Sequence, residues 1–320
     1  MRVVFLGTPG FAVPALQALY NWGDPEYQVV GVITQPDRPA GRGQNRTPPA
    51  VKVLAAELGI PVFQPERLRD NPAAQKFLEE TDPRLMVVVA FGTILAPEFF
   101  GYPCLGTLNV HASLLPSYRG AAPVAHTLLN GERETGVTIM KIDEGMDTGA
   151  IVSQSRLEVG IDTNAAELEE VLAHRGAELL IQTIPNYAAG EIQPVAQKEE
   201  QASYAPRIGK EEARIDWSWP DLRIHNWVRA LNPRPVAKAV FRGKEVKIWR
   251  TSQVEESGQE RGDEFGSPGA ILSLDRRRII VSCGGETCLS VEELQMPNRK
   301  RLIAVDLIIG SKPPVGESFT

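Results

Sequence analysis

The chain has 320 residues, 42% of them hydrophobic and 23% charged, with a formal net charge of −6; this is an ordinary globular composition with room for two domains, and it excludes disorder, collagen and coiled coil. No apolar run approaches the roughly 20 residues of a membrane helix, Met1-Arg2 leads straight into Val3-Val4-Phe5-Leu6 without a signal-peptide pattern, and Cys104, Cys283 and Cys288 are an odd, scattered set. A cytoplasmic protein in a reducing compartment is expected, with no disulfide framework, no zinc ribbon and no membrane partner.

Val3 to Leu6 is a short apolar run that stops at Gly7, as buried parallel strands do. Phe11, Ala15, Leu16 and Leu19 share one helical side. A strand at Val29 to Thr34, a Pro/Gly/Arg loop over 35–48, a helix at Val51 to Leu58, a strand at Val62, a helix at Ala73 to Glu80 and a strand at Leu85 to Ala90 follow. This alternation predicts a parallel sheet with helices on both faces. Leu108 to His111, Val137 to Ile142 and Ile151 to Val159 are further strands, and a long helix starts at Thr163, a suitable cap, and ends near Gly190.

Residues 191–210 are polar and weakly periodic, which reads as a linker. Beyond Trp217 come short strand candidates at Ala237 to Phe241, Val246 to Trp249, Ala270 to Leu274, Ile279 to Cys283 and Leu289 to Leu294, the pattern of a small antiparallel barrel or sandwich. The predicted organisation is therefore an α/β domain over 1–190, a linker over 191–210 and a small β domain, barrel or sandwich, over 211–320. Charge follows this division. Residues 1–206 hold 15 Lys/Arg against 24 Asp/Glu, whereas residues 207–312 hold 19 against 15, and a basic second part suits either a polyanionic partner or a solvated basic face with none.

Gly7-Thr8-Pro9-Gly10 sits where a dinucleotide fingerprint would, but it lacks the full glycine pattern and Pro9 removes an amide, so a tight strand-to-helix turn is expected instead of a nicotinamide site. In Thr107-Leu108-Asn109-Val110-His111, strand alternation puts Asn109 and His111 on one face. A carboxamide and an imidazole side by side supply an oxyanion donor and a group that titrates near neutrality. The strand runs into Ser113-Leu114-Leu115-Pro116-Ser117-Tyr118-Arg119-Gly120, at the sheet edge where open α/β folds bind ligands. A second loop, Asp143-Glu144-Gly145-Met146-Asp147-Thr148-Gly149, fits no EF-hand and has no histidine nearby, so a metal site is disfavoured. Asp147 either reaches and orients His111 or forms a solvated turn.

Asn109-Val110-His111, Ser113 to Pro116 with Tyr118-Arg119-Gly120, and Asp147-Thr148-Gly149 together resemble the signature of the folate-dependent formyltransferases. Further segments narrow the resemblance to the branch acting on methionyl-tRNA: Phe5 to Pro9, Thr34 to Gly43, Glu134 to Met140 and Lys210 to Trp217. The resemblance implies a Rossmann-like formyltransferase domain followed by a barrel of oligonucleotide-binding type. It implies Asn109, His111 and Asp147 as the catalytic residues, 10-formyltetrahydrofolate as co-substrate, no metal, and initiator methionyl-tRNA as acceptor; a monomer is expected.

By the same resemblance, Ser113, Leu114, Leu115 and Pro116 border the folate, and Phe91, Gly92, Ile94 and Leu95 line the pterin pocket, although periodicity alone would place Ile94 and Leu95 in ordinary core. Arg38 and Arg42 of the 35–48 loop would meet the acceptor end of the tRNA, with Arg207 and Lys210 in the linker. Lys247, Arg250, Arg276 to Arg278 and Arg299 to Arg301 are further candidate contacts. The competing reading keeps the triad and changes the acceptor to an amino-sugar nucleotide.

Overall fold

The computed structural model describes residues 1–40, 45–254, 266–274, 278–304, 306 and 315–320. The chain divides into two compact units, one formed by 1–123, 134–158 and 169–205, the other by 124–133, 159–168 and 206–320.

The first unit is built on a seven-stranded sheet: β1 (Arg2–Gly7), β2 (Gln28–Ile33), β5 (Val62–Phe63), β6 (Leu85–Val89), β7 (Thr107–His111), β8 (Glu134–Lys141) and β9 (Ile151–Glu158). Their order is β5-β2-β1-β6-β7-β8-β9. The pairs from β5 to β7 are parallel, whereas β7–β8 and β8–β9 are antiparallel. The α/β expectation and the mostly parallel sheet hold. All five residues of β6 are buried, which explains its continuous apolar run.

One face of this sheet packs Val4, Leu6, Met86 and Val88 against Leu78 of α3 (Pro72–Thr81) and Phe99 of α4 (Pro97–Phe100). Each such side chain contributes roughly 1.5–3 kcal/mol on burial. On the opposite face α6 (Ala165–Ala188) approaches so closely that a Cβ at Gly176 would lie 2.8 Å from Val110 and 3.3 Å from Val137. Helices α1 (Val13–Asn21) and α2 (Ala50–Glu57) lie where the apolar periodicity predicted them.

Three local expectations change. The 35–48 stretch is not patternless: β3 (Arg38–Ala40) pairs antiparallel with β4 (Asn45–Thr47), and both strands are too short and polar to show alternation. The cap of α6 is Asn164 and not Thr163: its side chain accepts from the Glu167 amide at 3.2 Å while the Glu167 carboxylate accepts from the Asn164 amide at 3.0 Å, a reciprocal box. The stretch read as a linker is tied down over 195–205, where Val195 and Ile151 exchange backbone hydrogen bonds of 2.8 Å and Arg119 and Tyr204 form a parallel bridge.

In the second unit, β10 (Ala237–Phe241), β11 (Lys244–Gln253), β14 (Thr287–Gln295), β13 (Ile279–Cys283) and β12 (Ile271–Leu274) form an antiparallel sheet in that order, with β15 (Leu302–Ile303) on β14. The C-terminal segment bridges both of its outer strands. Phe319 pairs with Phe241 of β10, and Ser318 with Ala270 at the start of β12. That segment closes the sheet into a barrel, removing its edges. Phe319 is 1% exposed, stacks 5.5 Å from Trp217 and lies 5.0 Å from Phe241. Two further helices, α5 (Pro123–Leu129) and α7 (Asp221–Ala230), are elements that the sequence pattern did not show.

Candidate active site

The loops after β1, β2 and β6 meet at the carboxyl edge of the first sheet, where β7 also ends. Thr8 donates its hydroxyl to the Phe91 carbonyl at 3.0 Å, and Gln35 donates to the Thr93 hydroxyl at 2.7 Å. Register sets the chemistry at that edge: Asn109 pairs with Val88 on one side and Met140 on the other. Val88 belongs to the cluster that contains Phe91 and Leu95, so Asn109 stands on the face where those residues gather. Its half-buried carboxamide has no hydrogen-bond partner among the described residues and remains free to donate.

His111 is 6% exposed. Its Nε2 lies 3.0 Å from the Tyr118 carbonyl, which can only accept, so the proton on this nitrogen is fixed. The other nitrogen, Nδ1, faces the Asp147 carboxylate at 3.7 Å. Asp147 in turn accepts from the Gly120 amide at 2.8 Å through the oxygen that faces His111. The sequence alternative of a merely solvated turn is thereby decided: Asp143 makes the turn, accepting from the Gly145 amide at 3.1 Å and the Thr148 hydroxyl at 2.7 Å, while Asp147 points at the histidine. Among the described residues no group of three or more His, Cys, Asp and Glu is arranged to hold a metal ion.

The loop after β7 is anchored from beneath by side chains that the sequence did not single out. The Thr138 hydroxyl donates to the Ser113 carbonyl at 2.7 Å and accepts from the Leu115 amide at 3.1 Å and from Gln154 at 2.9 Å. Gln154 also donates to the Leu115 carbonyl at 2.9 Å. Ser113 is fully buried and its hydroxyl donates to the Ser117 carbonyl at 2.6 Å, so its polar groups serve the loop itself. Leu115 is buried, Leu114 packs over Gly136, and Pro116 is partly exposed. In the 91–95 loop, Phe91 and Leu95 are core, but Ile94 is 81% exposed, contrary to the periodicity. Gly92 has a φ of +85°, which a side chain would strain.

Of the candidate cations, Arg38 is exposed at the base of the β3–β4 hairpin, whose neighbour Asp37 is bound by Lys52 at 2.8 Å and Gln64 at 2.9 Å. The Lys52 and Gln64 hydrogen bonds hold the Asp37 carboxyl below its ordinary pKa. Arg42 lies outside the described residues, as do Arg276 and Arg277. In the second unit Arg207 and Lys210 are exposed and make no ion pair among the described residues. Arg250 is paired with Glu292 at 2.9 Å, and Arg301 binds Glu293 while its guanidinium stacks 5.0 Å from the Trp249 ring.

Residues 1–184 match a family model described as formyl transferase, and residues 207–312 match the formyl transferase C-terminal domain. A methionyl-tRNA formyltransferase of Synechococcus sp. (strain JA-3-3Ab) is 44% identical over 319 residues, spanning 100% of this chain and 98% of its own length. That of Bacillus subtilis (strain 168) is 41% identical over 316 residues, spanning 99% and 96%. The chain belongs to the methionyl-tRNA formyltransferase family. Among solved structures, the N-formyltransferase from Helicobacter canadensis, complexed with folinic acid and dTDP-3-aminofucose, superposes with a TM-score of 0.65 at 21% identity, covering 91% of this chain and 98% of that one. This likeness establishes a shared fold, and family membership makes the formyl donor a folate.

Proposed function

We propose that the chain transfers the formyl group of 10-formyltetrahydrofolate to the α-amino group of methionyl-initiator tRNA, producing N-formylmethionyl-tRNA for translation initiation. The observation that carries the reading is His111 held between the Tyr118 carbonyl and the Asp147 carboxylate, with Asn109 two positions away on the same strand face. An α-amino group has a pKa of about 8, so it attacks as the free base once a proton acceptor is near. Attack on the formyl carbon forms the new C–N bond and leaves a tetrahedral carbon bearing negative oxygen. The Asn109 carboxamide stabilises that charge by donating to it. The His111–Asp147 pair, held by the Tyr118 carbonyl, takes the proton the attacking amine releases and returns it to N10 as the bond to the departing folate nitrogen breaks.

In this reading the exposed Ile94 side chain covers an apolar ring system, with Gly92 and the 113–116 backbone forming the rest of the folate border over the core residues Phe91 and Leu95. Arg38 and Arg42 of the 35–48 segment, with Arg207 and Lys210, supply phosphate contacts for the RNA, and the enzyme acts as a monomer. The amino-sugar reading has the fold likeness at 21% identity on its side, whereas relatives at 41–44% over essentially the whole chain are methionyl-tRNA formyltransferases. The deciding experiment offers 10-formyltetrahydrofolate with methionyl-tRNA, free methionine or an amino-sugar nucleotide in parallel. Consumption of methionyl-tRNA alone is expected; preferential formylation of the sugar nucleotide would transfer the assignment to the second reading.

A further inference from the structure

The three consecutive residues Tyr118, Arg119 and Gly120 each hold a different part of the site. The Tyr118 carbonyl accepts from His111, and the Gly120 amide donates to Asp147. Arg119 between them is 1% exposed and points away from the cleft into the 195–205 strap, donating from Nε to the Gln197 side-chain carbonyl at 3.0 Å and from Nη1 to Glu199 at 2.9 Å. Gln197 then uses its amide nitrogen twice, donating to the backbone carbonyls of Asp147 and Gly149, both at 2.8 Å. The network is closed: His111 to Tyr118, along the chain to Arg119, across to Gln197, and back to Asp147 and His111.

Three of the links, Tyr118, Gly120 and Asp147, sit on backbone in the positive-φ region. Asp147 and Tyr118 have φ of 56° and 62°, in the left-handed region where non-glycine residues need support, and Gly120 has φ of 118°. A Cβ at Gly120 would come within 2.9 Å of the Ala205 carbonyl, and one at Gly149 within 1.8 Å of the Lys141 carbonyl, so both turns are pressed against neighbouring chain. The strap is fixed there by the Ser203 carbonyl accepting from the Arg119 amide at 2.8 Å and the Arg119 carbonyl accepting from the Ala205 amide at 2.7 Å. A glutamine is the side chain suited to this place: it accepts from a guanidinium on one side and donates to two carbonyls on the other.

We propose that Arg119 and Gln197 are positioning residues for formyl transfer, acting through the Asp147 turn to hold its carboxylate against His111. The inference rests on the reading of Asp147 given above. A displaced turn lengthens the 3.7 Å approach without touching either substrate's binding surface, and misplacement on the order of 1 Å costs about 10²-fold in rate.

The test compares Gln197→Met, which keeps the side chain's length but makes none of its three hydrogen bonds, and Gln197→Glu, which keeps the Arg119 contact but cannot donate to the two carbonyls. Steady-state kcat and KM with 10-formyltetrahydrofolate and methionyl-tRNA are measured in the native and Asp147→Ala backgrounds, with circular dichroism as the folding control. Both Gln197 variants are expected to lose about 10²-fold in kcat while KM for each substrate stays within about twofold, and to lose almost nothing further once Asp147 is alanine. A native kcat in Gln197→Glu, a loss confined to KM, or the same fractional loss in both backgrounds would overturn the proposal. Full activity of Asp147→Ala itself would instead overturn the assignment of Asp147.

Discussion

Asn109 and His111 share a strand face, yet the structure gives them unlike surroundings, and their replacement should show it. The Asn109 carboxamide is half-buried and has no partner among the described residues, so Asn109→Ala removes a donor and strands nothing. Loss of one oxyanion donor lowers kcat by about 10²–10³. His111 is buried and donates to the Tyr118 carbonyl, so His111→Ala also removes a structural hydrogen bond, at roughly 0.5–1.5 kcal/mol. Both variants should be nearly inactive, with thermal denaturation showing a lowered Tm for His111→Ala alone. Equal Tm values, or turnover retained by either variant, would contradict the geometry. The pair was legible because two residues on a strand share a face at spacing two. Asp147 was one of two readings its loop left open until the family resemblance chose between them, and no local pattern singled out Thr138, Gln154 or Gln197. Gln197 reaches a carbonyl 50 residues earlier in the chain and Thr138 one 25 residues earlier, and no local pattern marks such partners.

At the level of elements, apolar periodicity located the buried strands and the helices that cover them, and it failed where polar groups are buried in satisfied networks. Helix α7 turns Ile224 and Val228 inward, but His225, Asn226 and Arg229 are buried beside them and erase the amphipathic contrast. Arg229 donates to Asn226 at 2.9 Å and to the Gly160 carbonyl at 3.0 Å, and burial pushes its pKa down to about 10, so it stays charged at neutral pH. His225 lies between the Thr251 hydroxyl at 3.0 Å and the Ile161 carbonyl at 2.9 Å. Its burial, with Arg229 adding to it and Asp162 and Asp221 opposing, holds its pKa below the usual value of 6.5.

The sign of the pH effect follows. Above pH 6.5 this histidine is neutral whether the chain is folded or not and adds no slope; as pH falls below 6.5 the unfolded chain takes up a proton that the folded unit resists, and stability declines toward the lowered folded value. Tm recorded between pH 7.5 and pH 5 (about the span of imidazole titration) should therefore fall more steeply for the native chain than for His225→Gln, whose amide can still donate to Ile161. Parallel slopes would remove His225 from the account.

For the whole chain the informative quantity is where charge is left unpaired. The composition places the excess of cations after residue 206, and the barrel refines this by pairing Arg250 with Glu292 and Arg301 with Glu293 while leaving Arg207, Lys210, Lys247, Arg299 and Lys300 without an ion pair among the described residues. An exposed ion pair is worth little in stability, but it withholds a cation from phosphate. Each phosphate that is neutralised releases counterions and adds about 0.9 to the slope of log affinity against log salt for a duplex. The unpaired set therefore predicts that tRNA binding weakens steeply with salt. Replacing Arg207 and Lys210 together by alanine should flatten the slope by about 1 to 2 and lower affinity similarly for initiator and non-initiator tRNA, because phosphate contacts carry no base information. Folate binding, measured in parallel by fluorescence, should not respond to salt or to this pair of changes. A slope unchanged in the double variant would mean that the RNA is held elsewhere, whatever its affinity.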